Sequence, residues 1–237
     1  MSALLVLRAE PGASETARRA AARGLTAAAA PIFDVKALDW EPPDAAGFDA
    51  VLLTSAHAAR LGGGGLRTLS SLRCYAVGDG TGAAAREAGF ADVRTGAGDG
   101  AALVALAADE GVLRALHLCG REHRPLDEER LSITRRIVYA ADPIAPLPQA
   151  AAKALRGGAI ALLHSPRAAA HFAALVDAAA MPRAGLTIAA ISTAAALAAG
   201  EGWMQKAVAS RPRDEALLEL AAQLCKTGTG VATGKAG

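Results

Sequence analysis

Short continuous runs of apolar residues recur along the chain, separated by stretches in which apolar positions return every third or fourth residue. The runs at 3–8, 50–54, 74–77, 115–119, 160–163 and 187–191 predict strands covered on both faces, because a strand with one wet face would alternate. Weaker runs at 92–94 and 206–209 predict two more. The intervening periodicity predicts helices over 14–23, 56–61, 82–88, 100–108, 126–131, 146–155, 167–179, 193–199 and 214–224. Gly24, Gly89 and Gly200 stand where a helix-ending residue with positive φ is wanted. Alanine-rich runs read as helix formers, broken repeatedly by Arg, Glu and Gly. Strand and helix alternate as in parallel α/β units.

Two stretches depart from this pattern. IFDVKAL at 32–38 and RIVYAADP at 136–143 alternate apolar and polar residues, as exposed antiparallel strands do. They bracket one half of the chain and predict a two-stranded connector. On that reading 1–31 joins 144–226 in one discontinuous domain, and 39–135 forms an inserted second domain. The pattern alone leaves open a first strand that founds the nearer domain. Residues 227–237 lack apolar periodicity and predict a disordered tail.

The chain also repeats a plan. AVLLTSAHAARL at 50–61 and IALLHSPRAAAH at 160–171 each run from apolar strand through a small hydroxyl residue into an alanine-rich helix start. A second pair follows, YAVGDGTGAAAREAGF at 75–90 and IAAISTAAALAAGEGW at 188–203. Ser55 to Thr81 is a step of 26 residues and Ser165 to Thr193 one of 28. Two such units in each half imply two like domains facing one ligand. Strand-to-helix turns of this kind offer backbone N–H groups at helix N-termini, where anions bind.

Composition narrows the ligand. With 237 residues, 52% of them apolar and 20% charged, the chain is long enough for one large or two small domains, each able to bury a core. A formal net charge of +2 supplies no broad basic field, and 3% aromatic content supplies no stacking platform, so nucleic acid is not expected as a partner. No window approaches the roughly 18 apolar residues of a membrane span. Cys74, Cys119 and Cys225 form no CxxC pair, and the opening MSALLVLRAEP is too short an apolar run for a signal peptide. Together these predict a reduced, cytoplasmic protein. His57, His117, His123, His164 and His171 show no HxH or HExxH spacing, so no metal site is expected.

Anion recognition then falls to local groups. Ser55, Thr81, Ser165 and Thr193 are placed to cap a helix or to donate a hydroxyl to a carboxylate. Arg8, Arg121 (after Gly120) and Arg167 follow strands, on the side where α/β proteins bind ligands, and can hold carboxylates bidentately. Arg124 and His123 are weaker additions. His164 precedes Ser165 directly, and neighbours along a strand point to opposite faces, which argues against a nucleophilic pair. GDGTG at 78–82 lacks the full G-x-G-x-x-G spacing of a dinucleotide turn.

The order of these motifs resembles uroporphyrinogen-III synthase. The resemblance is carried by VLRAEPGASETARRAAARG with PIFDV, LLTSAHAAR, YAVGDGTGAAAREAGF, LHLCGREHRPLDEERL with RRIVYAAD, LLHSPRAAAHF and IAAISTAAALAAG, which span the chain short of its tail. It implies two α/β domains joined by a β-ladder, with the active site in the cleft between them. It also implies a linear tetrapyrrole octacarboxylate, hydroxymethylbilane, as the small-molecule substrate. The last ring would be inverted as the macrocycle closes with loss of water, without metal or organic cofactor, and the enzyme is expected to be a monomer. By resemblance Tyr139, in RRIVYAAD, faces the cleft and assists departure of the hydroxyl; the residue reading above adds Arg8, Ser55, Thr81, Gly120, Arg121, Ser165, Arg167, Ser192 and Thr193 as expected substrate-binding positions. The first turn reads Ser55–Ala56–His57 in place of the family's Ser–Pro–x. The late turn is shortened, so either Ser192 or Thr193 holds the family's hydroxyl position. A non-catalytic binding protein for a small polycarboxylate is the competing reading, and a nucleotide-dependent transferase, resting on GDGTG alone, is a third.

Overall fold

In the computed structural model, which describes residues 3–96 and 99–228, the chain divides into two compact units. One comprises Met1–Asp34 with Asp142–Gly237, the other Val35–Ala141. Both are α/β layers built on largely parallel sheets.

The first unit carries strands β1 (Leu4–Val6), β2 (Ala27–Ala29), β9 (Ile160–Leu163), β10 (Thr187–Ala190) and β11 (Gln205–Val208) in the order β11-β10-β9-β1-β2. Every pairing among them is parallel. Its helices are α1 (Gly12–Ala21), α5 (Gln149–Arg156), α6 (Pro166–Ala178), α7 (Thr193–Ala198) and α8 (Asp214–Gly228). Leu4, Val6, Ile160 and Leu162 pack against Ala13 and Ala20 of α1 and Leu217, Leu218 and Ala221 of α8. Leu5 and Leu163, which alternate with them, are equally buried. Both faces are covered, which is why these strands read as unbroken apolar runs.

Strand β2 is the element that local propensity hides. Its three alanines form helices readily on their own. Here they pair with the edge of β1, Leu4 opposite Ala27 and Val6 opposite Ala29, so the sheet's hydrogen bonds override propensity. Gly24 ends the preceding helix at φ 73°, where a side chain would be strained.

The second sheet holds β3 (Phe33–Ala37), β4 (Ala50–Leu53), β5 (Arg73–Val77), β6 (Val93–Gly96), β7 (Arg114–Gly120) and β8 (Ser132–Pro143) in the order β3-β8-β7-β4-β5-β6. Helices α2 (Ala56–Leu61) and α3 (Gly78–Glu87) cover one face, over Val51, Leu53, Cys74, Ala76, Leu116 and Leu118. Helix α4 (Gly100–Asp109) covers the other, over Ala50, Leu52, Tyr75 and Ala115. Strands β3 and β8 are neighbours, and the bonds Leu38 N–H to Val138 O and Ile144 N–H to Ile32 O run in opposite chain senses. The chain passes from one unit to the other within these two strands. Strand β8 starts earlier than its alternating pattern suggests, because 132–139 also pair in parallel with β7.

Three expected elements fall elsewhere. The segment 126–131 is a loop, not a helix. Leu126 and Leu131 are buried against the α4 layer while the Asp127 carboxylate accepts the Glu129 N–H, a local bond that competes with helix. Helix α3 starts at Gly78, four residues before the expected 82, because Gly78 takes φ 71° and lets the chain turn straight from strand into helix. Of the expected tail, 227 and 228 are the end of α8, and 229–237 lie outside the described residues.

Candidate functional site

In the first unit the carboxyl ends of β1, β9 and β10 lie side by side, since Val6 is opposite Leu162 and Leu163 opposite Ala190. Arg8, Ser165, Arg167, Ser192 and Thr193 therefore follow neighbouring strands at the carboxyl end of one sheet. Ser165 and Ser192 are N-caps in extended conformation, their oxygens accepting from Ala168 N–H at 3.1 Å and Ala195 N–H at 3.3 Å. A hydroxyl that accepts in this way keeps its own proton to give. Ser192, not Thr193, matches Ser165 in this role; Thr193 is the first residue of α7. Arg167 stacks its guanidinium 4.6 Å from the Phe33 ring centre.

Arg8 lies against Gly12, where a Cβ would stand 2.5 Å from its Nε. It donates to Thr16 Oγ1 at 3.4 Å and is 4.0 Å from Asp214. Asp214 is the hub of this end. Its carboxylate accepts from the buried Thr16 hydroxyl at 3.0 Å, approaches Arg19 Nε at 2.9 Å and accepts from His164 Nε2 at 2.9 Å. Burial alone would raise the Asp214 carboxyl, but the His164 hydrogen bond and the charge of Arg19 outweigh it and hold it below the usual range. Burial likewise pushes His164 down, so it is neutral at pH 7 and donates to Asp214. Ser165 therefore has no base in its neighbour, as the strand geometry argues. Sequence reading missed Thr16 and Asp214 because 198 residues separate them.

In the second unit a cavity of about 540 Å³ opens at the same end of the sheet. Thr54 and Ser55 follow β4, Val77 ends β5, Gly120 ends β7 and Tyr139 comes from β8; all line it, with the α4 N-terminus and His123 and Arg124 of the loop 121–131. Its charge is mixed, since Asp99, Glu122 and Asp127 also line it. Ser55 caps α2 by accepting His57 N–H at 3.2 Å. The α4 N-terminus is already occupied: Asp99 accepts from Ala101 and Ala102 N–H, both at 3.1 Å.

A β-bulge sets Tyr139. Cys119 is opposite Ile137, but Gly120 is opposite Tyr139, so β8 spends one extra residue there. Bulges re-aim side chains, and this one lays the phenol over Gly120. A Cβ on Gly120 would stand 2.7 Å from Tyr139 Cζ and 3.0 Å from its hydroxyl. The ring is 9% exposed and 5.5 Å, centre to centre, from His57.

Two expected members are not brought into this cavity. Thr81 is a full turn inside α3, 7% exposed, rather than at a helix cap, because α3 begins at Gly78. Arg121 is exposed and is not among the lining residues; its N–H donates to Tyr139 O at 2.9 Å. His123 and Arg124, weak on sequence grounds, do line it. Thr54 is an addition that sequence reading missed, its only signal being its place just before a cap residue. Among the described residues no group of His, Cys, Asp and Glu could hold a metal ion, and no helix is long and apolar enough to cross a membrane.

The family model for uroporphyrinogen-III synthase HemD matches residues 14–219. None of the curated proteins matches the chain at a significant level. Among solved structures, uroporphyrinogen-III synthetase from Helicobacter pylori is similar at 18% identity and TM-score 0.65, over 94% of this chain and 100% of that one. Uroporphyrinogen III synthase from Thermus thermophilus aligns at 17% identity with TM-score 0.41, over 94% of this chain and 100% of that one.

Proposed function

Because the chain belongs to the uroporphyrinogen-III synthase family, lyases of tetrapyrrole biosynthesis, we propose that it closes hydroxymethylbilane to uroporphyrinogen III with Tyr139 as the principal catalytic group. The observation that carries this role is the seating of the Tyr139 phenol on Gly120 in the wall of the cavity. A phenol carries an O–H that can donate to an oxygen. It hydrogen-bonds the substrate hydroxyl as the pyrrole nitrogen lone pair expels it, and the departing oxygen leaves as water. The resulting azafulvene carbon is attacked by the substituted α-carbon of ring D, giving a spiro-pyrrolenine. That intermediate fragments and recloses with ring D inverted, and loss of a proton restores the pyrrole.

The eight carboxylates need donors in number rather than one strong site. Ser55, Ser165 and Ser192 each keep a hydroxyl proton after capping a helix, and Arg8, Arg121 and Arg167 supply guanidinium groups. Thr193 acts through the helix start it belongs to, and Gly120 through the close approach its missing side chain allows. Holding a flexible bilane folded contributes much of the rate, an entropic effect that no single side chain owns. We place the enzyme in the cytoplasm as a monomer that works without a cofactor, in keeping with three free cysteines, two of them buried.

The test supplies hydroxymethylbilane and identifies the isomer after oxidation. Accelerated formation of the type III product is expected. Spontaneous, unaccelerated closure to the type I isomer overturns the proposal, and affinity without conversion would favour a polycarboxylate-binding protein instead.

A further inference from the structure

Thr54 and His117, within the segments LLTSAHAAR and LHLCGREHRPLDEERL, form a pair that the role of Tyr139 does not account for. Leu52 is opposite His117 in the β4–β7 register, and Thr54, two residues on, points to the same face. The Thr54 hydroxyl and His117 Nε2 are 3.1 Å apart. Thr54 lines the cavity, whereas His117 is fully buried behind it. The other ring nitrogen, Nδ1, is buried with no hydrogen-bond partner among the described residues.

That orphan decides the tautomer. Were Nδ1 to carry the proton, a buried N–H would lack an acceptor, and orphaned buried N–H groups are the rarest kind. Such a group costs about 1–3 kcal/mol. Placing the proton on Nε2, the position neutral imidazole also prefers intrinsically, leaves only a lone pair unmatched. Nε2–H then donates to the Thr54 oxygen, and the threonine proton cannot point back at the ring. Burial, reinforced by the charges of His123 and Arg135, pushes His117 down to about 4, which keeps it neutral in ordinary working conditions.

We propose that His117 is a positioning residue whose Nε2–H holds the Thr54 oxygen, so that the Thr54 hydroxyl donates into the cavity to a carboxylate arm of the substrate. The proposal rests on the synthase reading of the cavity. It adds Thr54 to the substrate donors and gives a buried imidazole a role that does not require it to gain or lose a proton.

Two measurements decide it. A long-range proton–nitrogen spectrum of the labelled protein, with His117 assigned by its absence in His117→Gln, should show a bare Nδ1 and a protonated Nε2. A protonated Nδ1 overturns the assignment. Steady-state kinetics on hydroxymethylbilane should show KM raised about tenfold in Thr54→Val with kcat nearly unchanged, the mark of a contact equal in ground and transition states. Thr54→Ser and His117→Gln, which keep the hydroxyl and a donor to it, should recover most of the loss, while His117→Leu should not. An unchanged KM in a folded Thr54→Val enzyme overturns the donor role while leaving the synthase reading intact. Failure of the wild type to accelerate ring closure overturns the synthase reading and the ligand with it, and the spectrum still decides the tautomer independently.

Discussion

Replacing Gly120 by alanine asks whether the Tyr139 ring matters where it lies. The new methyl would stand 2.7 Å from Cζ, 2.8 Å from Cε2 and 3.0 Å from the hydroxyl, whereas carbon atoms rest comfortably at about 3.5–4.0 Å. Gly120 does not have positive φ, so alanine brings crowding without backbone strain. The ring must retreat by about 1 Å. Overpacking of this kind costs about 1–3 kcal/mol, and a displacement of that size at a reacting group costs about a hundredfold in rate. Urea unfolding reads the first quantity and turnover of hydroxymethylbilane, with the type III isomer quantified, reads the second. A Tyr139→Ala background supplies the control. With the ring gone, Gly120→Ala should cost less than about 0.5 kcal/mol, leaving a coupling of about 0.5 kcal/mol or more. Equal costs in both backgrounds would refute the contact. Full turnover in Gly120→Ala, despite a measured coupling, would refute the claim that the position of the phenol governs the reaction.

Tyr139→Phe should lower turnover by about a hundredfold or more with unfolding free energy nearly unchanged, since the ring stays in place; equal turnover would remove the hydroxyl from the chemistry. Asp214→Ala should destabilise by about 2–3 kcal/mol, below the full value of a buried pair because Arg19 is partly exposed; a loss within error would mean that its partners rearrange without it. Wild-type stability should fall on acidification below pH 6.5. His164 and His117 are held below that value in the folded chain, so the unfolded chain takes up protons first, and the native carboxylate of Asp214 is lost only at lower pH. Flat unfolding free energies from pH 7.5 to 5 would contradict the burial of both rings. Ser165→Ala should cost about 1 kcal/mol through the lost cap and should also raise KM; a stability loss with unchanged KM would leave the serine as a cap alone.

Unbroken apolar runs in the sequence determined a sheet covered on both faces, because such strands cannot afford polar alternation. Repeated strand, hydroxyl and helix starts determined which serines would cap, since Ser55 and Ser165 satisfy N–H groups only two or three residues away. Those are local interactions, and local pattern carries them. The β2 strand is not legible in the sequence because its alanines prefer helix until β1 offers a pairing edge. Thr81 stands inside α3 and not at its cap because one positive φ at Gly78 starts the helix early. The seating of Tyr139 depends on a bulge against β7, the tautomer-setting pair Thr54–His117 on the β4–β7 register, and the Asp214 hub on residues from opposite ends of the chain. Only the tertiary structure decided these, since each depends on which strands and helices become neighbours, and spacing along the chain does not encode that.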